Sequence, residues 1–166
     1  WNPRTRNWLP PVSLHFVSGY SKGEFIAHAR ITKFRISPNY RPGRPARENL
    51  PADWAILTLD KAIAELVGVI PLGRPNAGQK ITQAGYSKDK PHILTLNRTC
   101  NIVRRDAKRG IILHDCDATK GDSGAPILQQ KNNHFELIGI HVATRGRGDT
   151  AEGVAVGIPT SWYRPR

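Results

Sequence analysis

No apolar run in the 166 residues approaches the roughly 18 that a membrane helix requires, so the chain does not read as a helical membrane span. Residues 1–16 lack a basic start followed by an apolar core, and that stretch does not read as a signal peptide. Methionine is absent, while 13 Pro and 15 Gly point to many turns. Hydrophobic residues make up 39% and charged residues 23%, which excludes a disordered or collagen-like chain. The length suits one domain or two small barrels. Acidic groups are scarce: 13 Asp and Glu against 25 Lys and Arg give a net charge of +12. Nine basic and two acidic groups fall in residues 1–50, including Arg41, Arg44 and Arg47. Such a field favours anionic partners, although a solvated basic face has the same composition. The 12 aromatic residues form no stacking motif, and no zinc or RNA-module pattern occurs, which argues against a nucleic-acid partner. No His or Cys pair has ligand spacing, so no metal is expected.

Two cysteines, Cys100 and Cys116, permit one internal pairing. Each borders a strand-like run, so a bridge between neighbouring strands is geometrically reasonable, and closing such a loop contributes roughly 3 kcal/mol. Two buried free thiols are the alternative; a bridge would imply an oxidising compartment.

The apolar pattern is of strand type over Ser13–Val17, Glu24–Phe34, Trp54–Leu59, Lys80–Tyr86, His92–Leu96, Ile111–His114, Ala125–Gln129, Phe135–Ala143 and Gly153–Ile158. Turn chemistry separates these runs at Ser18-Gly19, Pro42-Gly43, Arg109-Gly110 and Asn132-Asn133. Only Lys61–Val67 reads as briefly helical, and Pro71–Gly78 is the best linker candidate. Short strands without alternating helices predict an all-β antiparallel barrel or sandwich.

The chemistry concentrates in Asp115-Cys116-Asp117-Ala118-Thr119-Lys120-Gly121-Asp122-Ser123-Gly124-Ala125-Pro126. A serine hydroxyl is a weak nucleophile and needs a tight turn with free backbone N–H groups to hold the oxyanion that its attack on a carbonyl creates. Glycines on both sides of Ser123 allow such a turn, and the N–H groups of Gly121 and Ser123 would form the oxyanion hole. A nucleophile elbow of the α/β-hydrolase kind requires strand, turn and helix, whereas the segment after Ser123 reads as a hairpin. An ordinary Gly-Asp turn is the plain alternative. In Asp53-Trp54-Ala55-Ile56-Leu57-Thr58-Leu59 a carboxylate stands at the mouth of an apolar strand, where it calls for a hydrogen-bonded partner such as imidazole. Capping of a turn after Pro51 is the bland reading of Asp53.

Asp53-Trp54-Ala55-Ile56-Leu57 and Gly121-Asp122-Ser123-Gly124-Ala125-Pro126 resemble the aspartate and serine blocks of trypsin-like, chymotrypsin-fold serine peptidases. Ala84-Gly85-Tyr86 is similar to the strand that opens the second barrel of that family, and Ile138-Gly139-Ile140-His141 to the strand lining its specificity pocket. The compact spacing and the Gly-Ile-His run look closest to the bacterial glutamyl endopeptidase-like branch. The resemblance implies two antiparallel β-barrels, the first incomplete: residues 1–75 carrying the catalytic Asp53 and residues 76–166 carrying the nucleophile Ser123 and the pocket. It implies peptide-bond hydrolysis through an acyl-enzyme, without a cofactor, on a peptide or protein substrate, in a secreted or periplasmic location.

One part of the pattern is absent. The histidine block of the family, Ala-Ala-His-Cys, does not occur, and His15 and His28 lie in strands that resemble segments after it. His92, His114 and His134 match no base position. The resemblance therefore sets Trp1 just downstream of the missing block, and the chain alone is expected to hydrolyse very poorly. Asp117 occupies the place of a basic-selecting pocket aspartate, whereas His141 looks like the pocket histidine of glutamyl endopeptidases. Lys120 and Thr144 are further candidates for contact with an acidic side chain, which is the favoured preference. Asp117 as a turn residue, His141 as a satisfied core histidine and Lys120 as a solvated side chain are the bland readings. The counterpart of Asp122 in trypsin pairs with a new N-terminus, but Trp1-Asn2-Pro3 does not resemble that terminus. A catalytically silent peptidase-fold binding module is the alternative to an endopeptidase, and a basic nucleic-acid-binding protein stands behind both.

Overall fold

The computed structural model describes residues 2, 4–76, 78–146 and 148–163. Trp1 and Pro3 of the N-terminal tripeptide, and Ala77 of the linker candidate, lie outside the described residues. The chain is mostly β and divides into two compact units, Trp1–Val69 and Ile70–Arg166.

In the first unit, β1 (His15–Ser18), β2 (Ala27–Ile36) and β3 (Ala55–Leu59) form an antiparallel sheet in the order β1-β2-β3. Alternation on β2 buries Ala27, Ala29 and Ile31 on one face, as a strand with one covered side requires. The β1–β2 loop depends on Gly19, whose φ of +65° suits glycine, and a Cβ there would stand 2.6 Å from Ile26 Cδ1. The long β2–β3 connection holds the one-turn helix α1 (Ala46–Asn49) and a 3₁₀ turn over Leu50–Ala52. Buried Asn49 fastens it: its Oδ1 accepts Arg41 N–H at 2.9 Å and its Nδ2 donates to Arg41 O at 2.8 Å. Trp8 packs on Phe34 and Tyr40 with ring centroids 6.1 and 5.9 Å away. A second one-turn helix, α2 (Ala64–Val67), falls within the predicted helical stretch and ends at Gly68 with φ +76°.

The second unit is a seven-stranded antiparallel sheet made of β4 (Ile81–Gly85), β5 (Thr95–Cys100), β6 (Ile102–Asp106), β7 (Ile111–His114), β8 (Pro126–Lys131), β9 (His134–Arg145) and β10 (Glu152–Gly157). Its order is β5-β4-β8-β9-β10-β7-β6, and β5 and β6, adjacent in the chain, are its two ends, so the sheet curls. The core inside it is built from Ile81, Ile112, Ile127, Ile138, Ala155 and the two cysteines. These are the barrel-type sheets that the all-β reading predicts.

Two strands depart from the sequence pattern. The run read as His92–Leu96 begins only at Thr95, because Lys90 and Ile93 donate to Ser87 and Lys90 carbonyls in turns around Pro91. The strand β6 has no apolar alternation: it is a sheet edge, and Val103, Arg104 and Arg105 are exposed. Residues 71–76 are laid on the second unit's sheet. Leu72 bridges Leu137, Gly73 N–H donates to Leu137 O at 2.9 Å, and Asn76 and Gln129 exchange two hydrogen bonds of 2.9 Å.

Cys100 and Cys116 form a disulfide with Cα atoms 4.8 Å apart. Its position follows from register: Ile102 pairs with His114, and each cysteine lies two residues beyond that pair. Between them, Asn101 donates through its backbone N–H and its Nδ2 to the Asp115 carboxylate, the latter at 2.8 Å. Burial pushes the Asp115 carboxyl up, but these two donors together with its own backbone N–H and the Lys80 charge outweigh it and hold it below its ordinary value. The covalent link thus extends the β6–β7 ladder to the start of the segment that carries Asp117 and Ser123. Replacement of both cysteines by Ala is expected to cost about 2–4 kcal/mol in urea unfolding under non-reducing conditions. An unchanged midpoint would show that the ladder holds without the bridge.

Candidate active site

The serine segment is folded by two consecutive turns. Asp122 N–H donates to Thr119 O at 3.3 Å, and Ala125 N–H donates to Asp122 O at 2.9 Å. Asp122 is 5% exposed, and its Oδ2 accepts Thr119 N–H at 2.8 Å, which locks the first turn from within. Gly85 on β4 makes room for that carboxylate, since a Cβ there would stand 2.9 Å from Asp122 Oδ1. Gly124 N–H donates to His141 O, and His141 N–H to Ala125 O, both at 2.8 Å, which ties the second turn to β9.

These bonds engage the amides of Asp122, Gly124 and Ala125. The amides of Gly121 and Ser123 donate to no carbonyl or side chain among the described residues. The Lys120–Gly121 peptide is oriented by Lys88, whose N–H donates to Lys120 O at 2.7 Å. A trans peptide points its N–H opposite to its carbonyl, so Gly121 N–H is directed away from Lys88. Gly121 has φ +106°, and a Cβ there would stand 2.7 Å from Lys88 N, so only glycine fits this turn without strain. Ser123 is exposed. The arrangement offers a hydroxyl on a tight turn beside two free N–H donors, which is what stabilising an oxyanion needs.

Asp53 follows the 3₁₀ turn of the first unit, with its N–H donating to Leu50 O at 3.3 Å, and precedes β3. Desolvation by surrounding protein pushes its carboxyl up although the residue keeps an exposed edge, and its charge reinforces the burial that raises the Tyr40 phenol. His15 and His28 share a hydrogen bond of 2.7 Å between Nδ1 and Nε2 and stack with centroids 5.0 Å apart. They sit at the far end of β2: His28 pairs with Val17, whereas Ile36 pairs with Ala55 beside Asp53. Eight residues of strand separate the two ends, roughly 25 Å, so neither histidine serves Asp53.

Among the specificity candidates, Asp117, Lys120 and Thr144 are exposed, and Thr144 lies on β9 three residues beyond His141. His141 is 2% exposed, and its Nδ1 lies 3.1 Å from Nε2 of His114, which is 0% exposed. The pair was not legible as a pair, though a histidine closing the apolar run Ile111-Ile112-Leu113 was the signal that a buried polar partner must exist. Asn49 and Lys88 are further positioning residues that the motifs did not show, and Thr119, inside the serine segment, carries no role in the motif reading. His134 lies 3.7 Å from Glu136 in the β8–β9 hairpin. Among the described residues no group of three or more His, Cys, Asp or Glu is placed to hold a metal ion, and no helix is long and apolar enough to cross a membrane.

A family profile described as Trypsin matches residues 13–165. The chain belongs to the trypsin family. Two solved structures share the chymotrypsin-type fold of this trypsin-family chain. The protease Anisep from Arthrobacter nicotinovorans is 15% identical, with a TM-score of 0.66 over 86% of this chain and 68% of that one. A Glu endopeptidase in complex with MPD is 22% identical, with a TM-score of 0.65 over 82% of this chain and 61% of that one. A curated relative, the [NU+] prion formation protein 1 of Saccharomyces cerevisiae, is 27% identical over 138 residues, which is 81% of this chain. The trypsin-family chain spans 10% of that relative's length.

Two outcomes follow from this geometry. Gly121→Ala is expected to lower stability by about 1–3 kcal/mol in thermal or urea unfolding, because a side chain at φ +106° meets Lys88 and Ser87 backbone. The buried His114 imidazole is pushed down to about 4, first by desolvation and then by His141. The unfolded chain therefore binds more protons between about pH 6.5 and 4, and stability is full above that window and falls through it. Replacing His114 with Gln should flatten this part of the stability–pH curve, measured by urea unfolding at fixed pH values.

Proposed function

We propose that the chain forms most of a serine endopeptidase. Ser123 Oγ attacks the scissile carbonyl carbon, the N–H groups of Gly121 and Ser123 donate to the resulting oxyanion, and expulsion of the amine leaves an acyl-enzyme that water hydrolyses. Asp53 orients the imidazole that takes and returns the proton. We place that base outside these 166 residues: His15 and His28 lie at the wrong end of β2, His114 and His141 are buried against each other, and His92 and His134 match no base position of the family. Phe16, Val17 and Leu57 are exposed on the three-stranded sheet, which supports additional strands completing the first barrel.

The observation that carries this reading is the pair of unengaged amides in a loop where every other amide between Asp122 and Ala125 is bonded. Peptide or protein substrates follow from the family. Preference for acidic side chains is supported by Lys120 in the serine loop, by His141, whose backbone is bonded to Gly124 and Ala125 of that loop, and by a net charge of +12. Export to a secreted or periplasmic space is supported by the disulfide. No cofactor takes part in acyl transfer to water.

A second reading, an inactive binding module on the peptidase fold, is favoured by the absence, among the described residues of its own unit, of an imidazole beside Asp53, and is compatible with a yeast relative named for prion formation. The two readings separate on one experiment. Protein that includes its general base, treated with a fluorophosphonate, is expected to be labelled on Ser123, and Ser123→Ala to abolish the labelling. Labelling that survives the substitution would refute the nucleophile, and a complete, folded protein that is never labelled would favour the binding module.

A further inference from the structure

The hydrogen bonds around the buried histidine pair determine where its protons sit. Cys116 N–H donates to Nδ1 of His114 at 3.3 Å. An amide N–H is only a donor, so this nitrogen holds a lone pair, and neutral His114 carries its proton on Nε2. That Nε2–H then donates to Nδ1 of His141, 3.1 Å away, so Nδ1 of His141 is also an acceptor and its proton sits on Nε2. Turning the His114 ring over would set carbon atoms against both Cys116 N–H and His141 Nδ1. The ring is fixed in depth as well: Gly153 pairs with His114 across β10 and β7, and a Cβ there would stand 2.0 Å from His114 Cε1.

We propose that His114 is a positioning residue that holds His141 as the neutral tautomer protonated on Nε2, so that His141 offers the specificity pocket an uncharged hydrogen-bond donor rather than a cation. The assignment of His141 to that pocket rests on the peptidase reading; the proton arrangement does not. A second proton on His141 would have to occupy Nδ1. Nε2 of His114 would then become the acceptor, its proton would move to Nδ1, and two donors would confront each other at Cys116 N–H. Protonating His141 therefore costs the backbone bond that adjoins the disulfide. The charged groups facing the pair are Asp115 beside His114 and Asp122 beside His141, and both favour protonation; desolvation outweighs each of them. A neutral donor serves a carboxylate and a carboxamide alike. Selection of a negative charge over its amide must then come from elsewhere, and Lys120 is the exposed cation in the serine loop.

The test is long-range proton–nitrogen correlation spectroscopy on the nitrogen-15-labelled chain, followed from about pH 7.5 to about pH 5, a range that spans the ordinary histidine value. His141 is expected to show an unprotonated Nδ1 and a protonated Nε2 throughout. A proton on Nδ1, or conversion to the cation with a midpoint near 6.5, would overturn the proposal. His114→Gln keeps an N–H donor near the position of Nε2 and should preserve the His141 tautomer. His114→Leu removes the donor and should give mixed tautomers that titrate within the range; an unchanged tautomer in the Leu variant would also overturn it. If the Leu variant does not fold, the parent chain and the Gln variant decide. None of these readouts depends on peptidase activity, so the proton arrangement and the peptidase reading fail separately.

Discussion

A single buried carboxylate, that of Asp122, controls the serine loop. Burial of a carboxylate is tolerated only with donors in place, and Thr119 N–H supplies one from within the same turn. The first turn closes on that bond, the second begins at Asp122 O, and the Lys120 carbonyl is claimed by Lys88. Once those partners are fixed, Gly121 and Ser123 have amides with no internal acceptor. These two free amides are thus a consequence of how the neighbouring bonds are satisfied, with Gly121 allowing the close approach of Lys88 and Gly85 leaving room for the Asp122 carboxylate.

The same logic runs behind the loop. The β6–β7 ladder, its disulfide extension and the Asn101–Asp115 pair fix the start of the segment, while β9 fixes its end through His141. His114 and His141 fill the space between with polar atoms that satisfy one another and the Cys116 amide, and Gly153 leaves room for the ring. A hydrophobic pair at these positions would pack, but it would leave the Cys116 N–H without its partner.

Much of the second unit was legible because its strands are buried and their apolar runs are bounded by turn residues; Ile111–His114 is found as read. The edge strand β6 escaped because an edge needs no apolar alternation, and β5 was displaced because Pro91 begins a turn rather than a strand. Among the candidate residues, Asp53, Gly121 and Ser123 were visible as motif residues, since the chemistry expected of them restricts which residue types can stand there. Asn49, Lys88 and the His114–His141 bond were not, because each acts across many residues of sequence through backbone or ring atoms that no local pattern encodes. The disulfide was one of two open readings and became determinate only with the β6–β7 register.

Amide hydrogen exchange, resolved residue by residue across Thr119–Ala125 in the intact chain, tests the central claim most directly. The account predicts fast exchange at Gly121 and Ser123 and slower exchange at Asp122, Gly124 and Ala125, whose N–H groups are bonded. Protection of the Gly121 amide, with exchange instead at Asp122 or Ala125, would mean that the Lys120–Gly121 peptide faces the other way, and it would contradict the proposed oxyanion-binding arrangement.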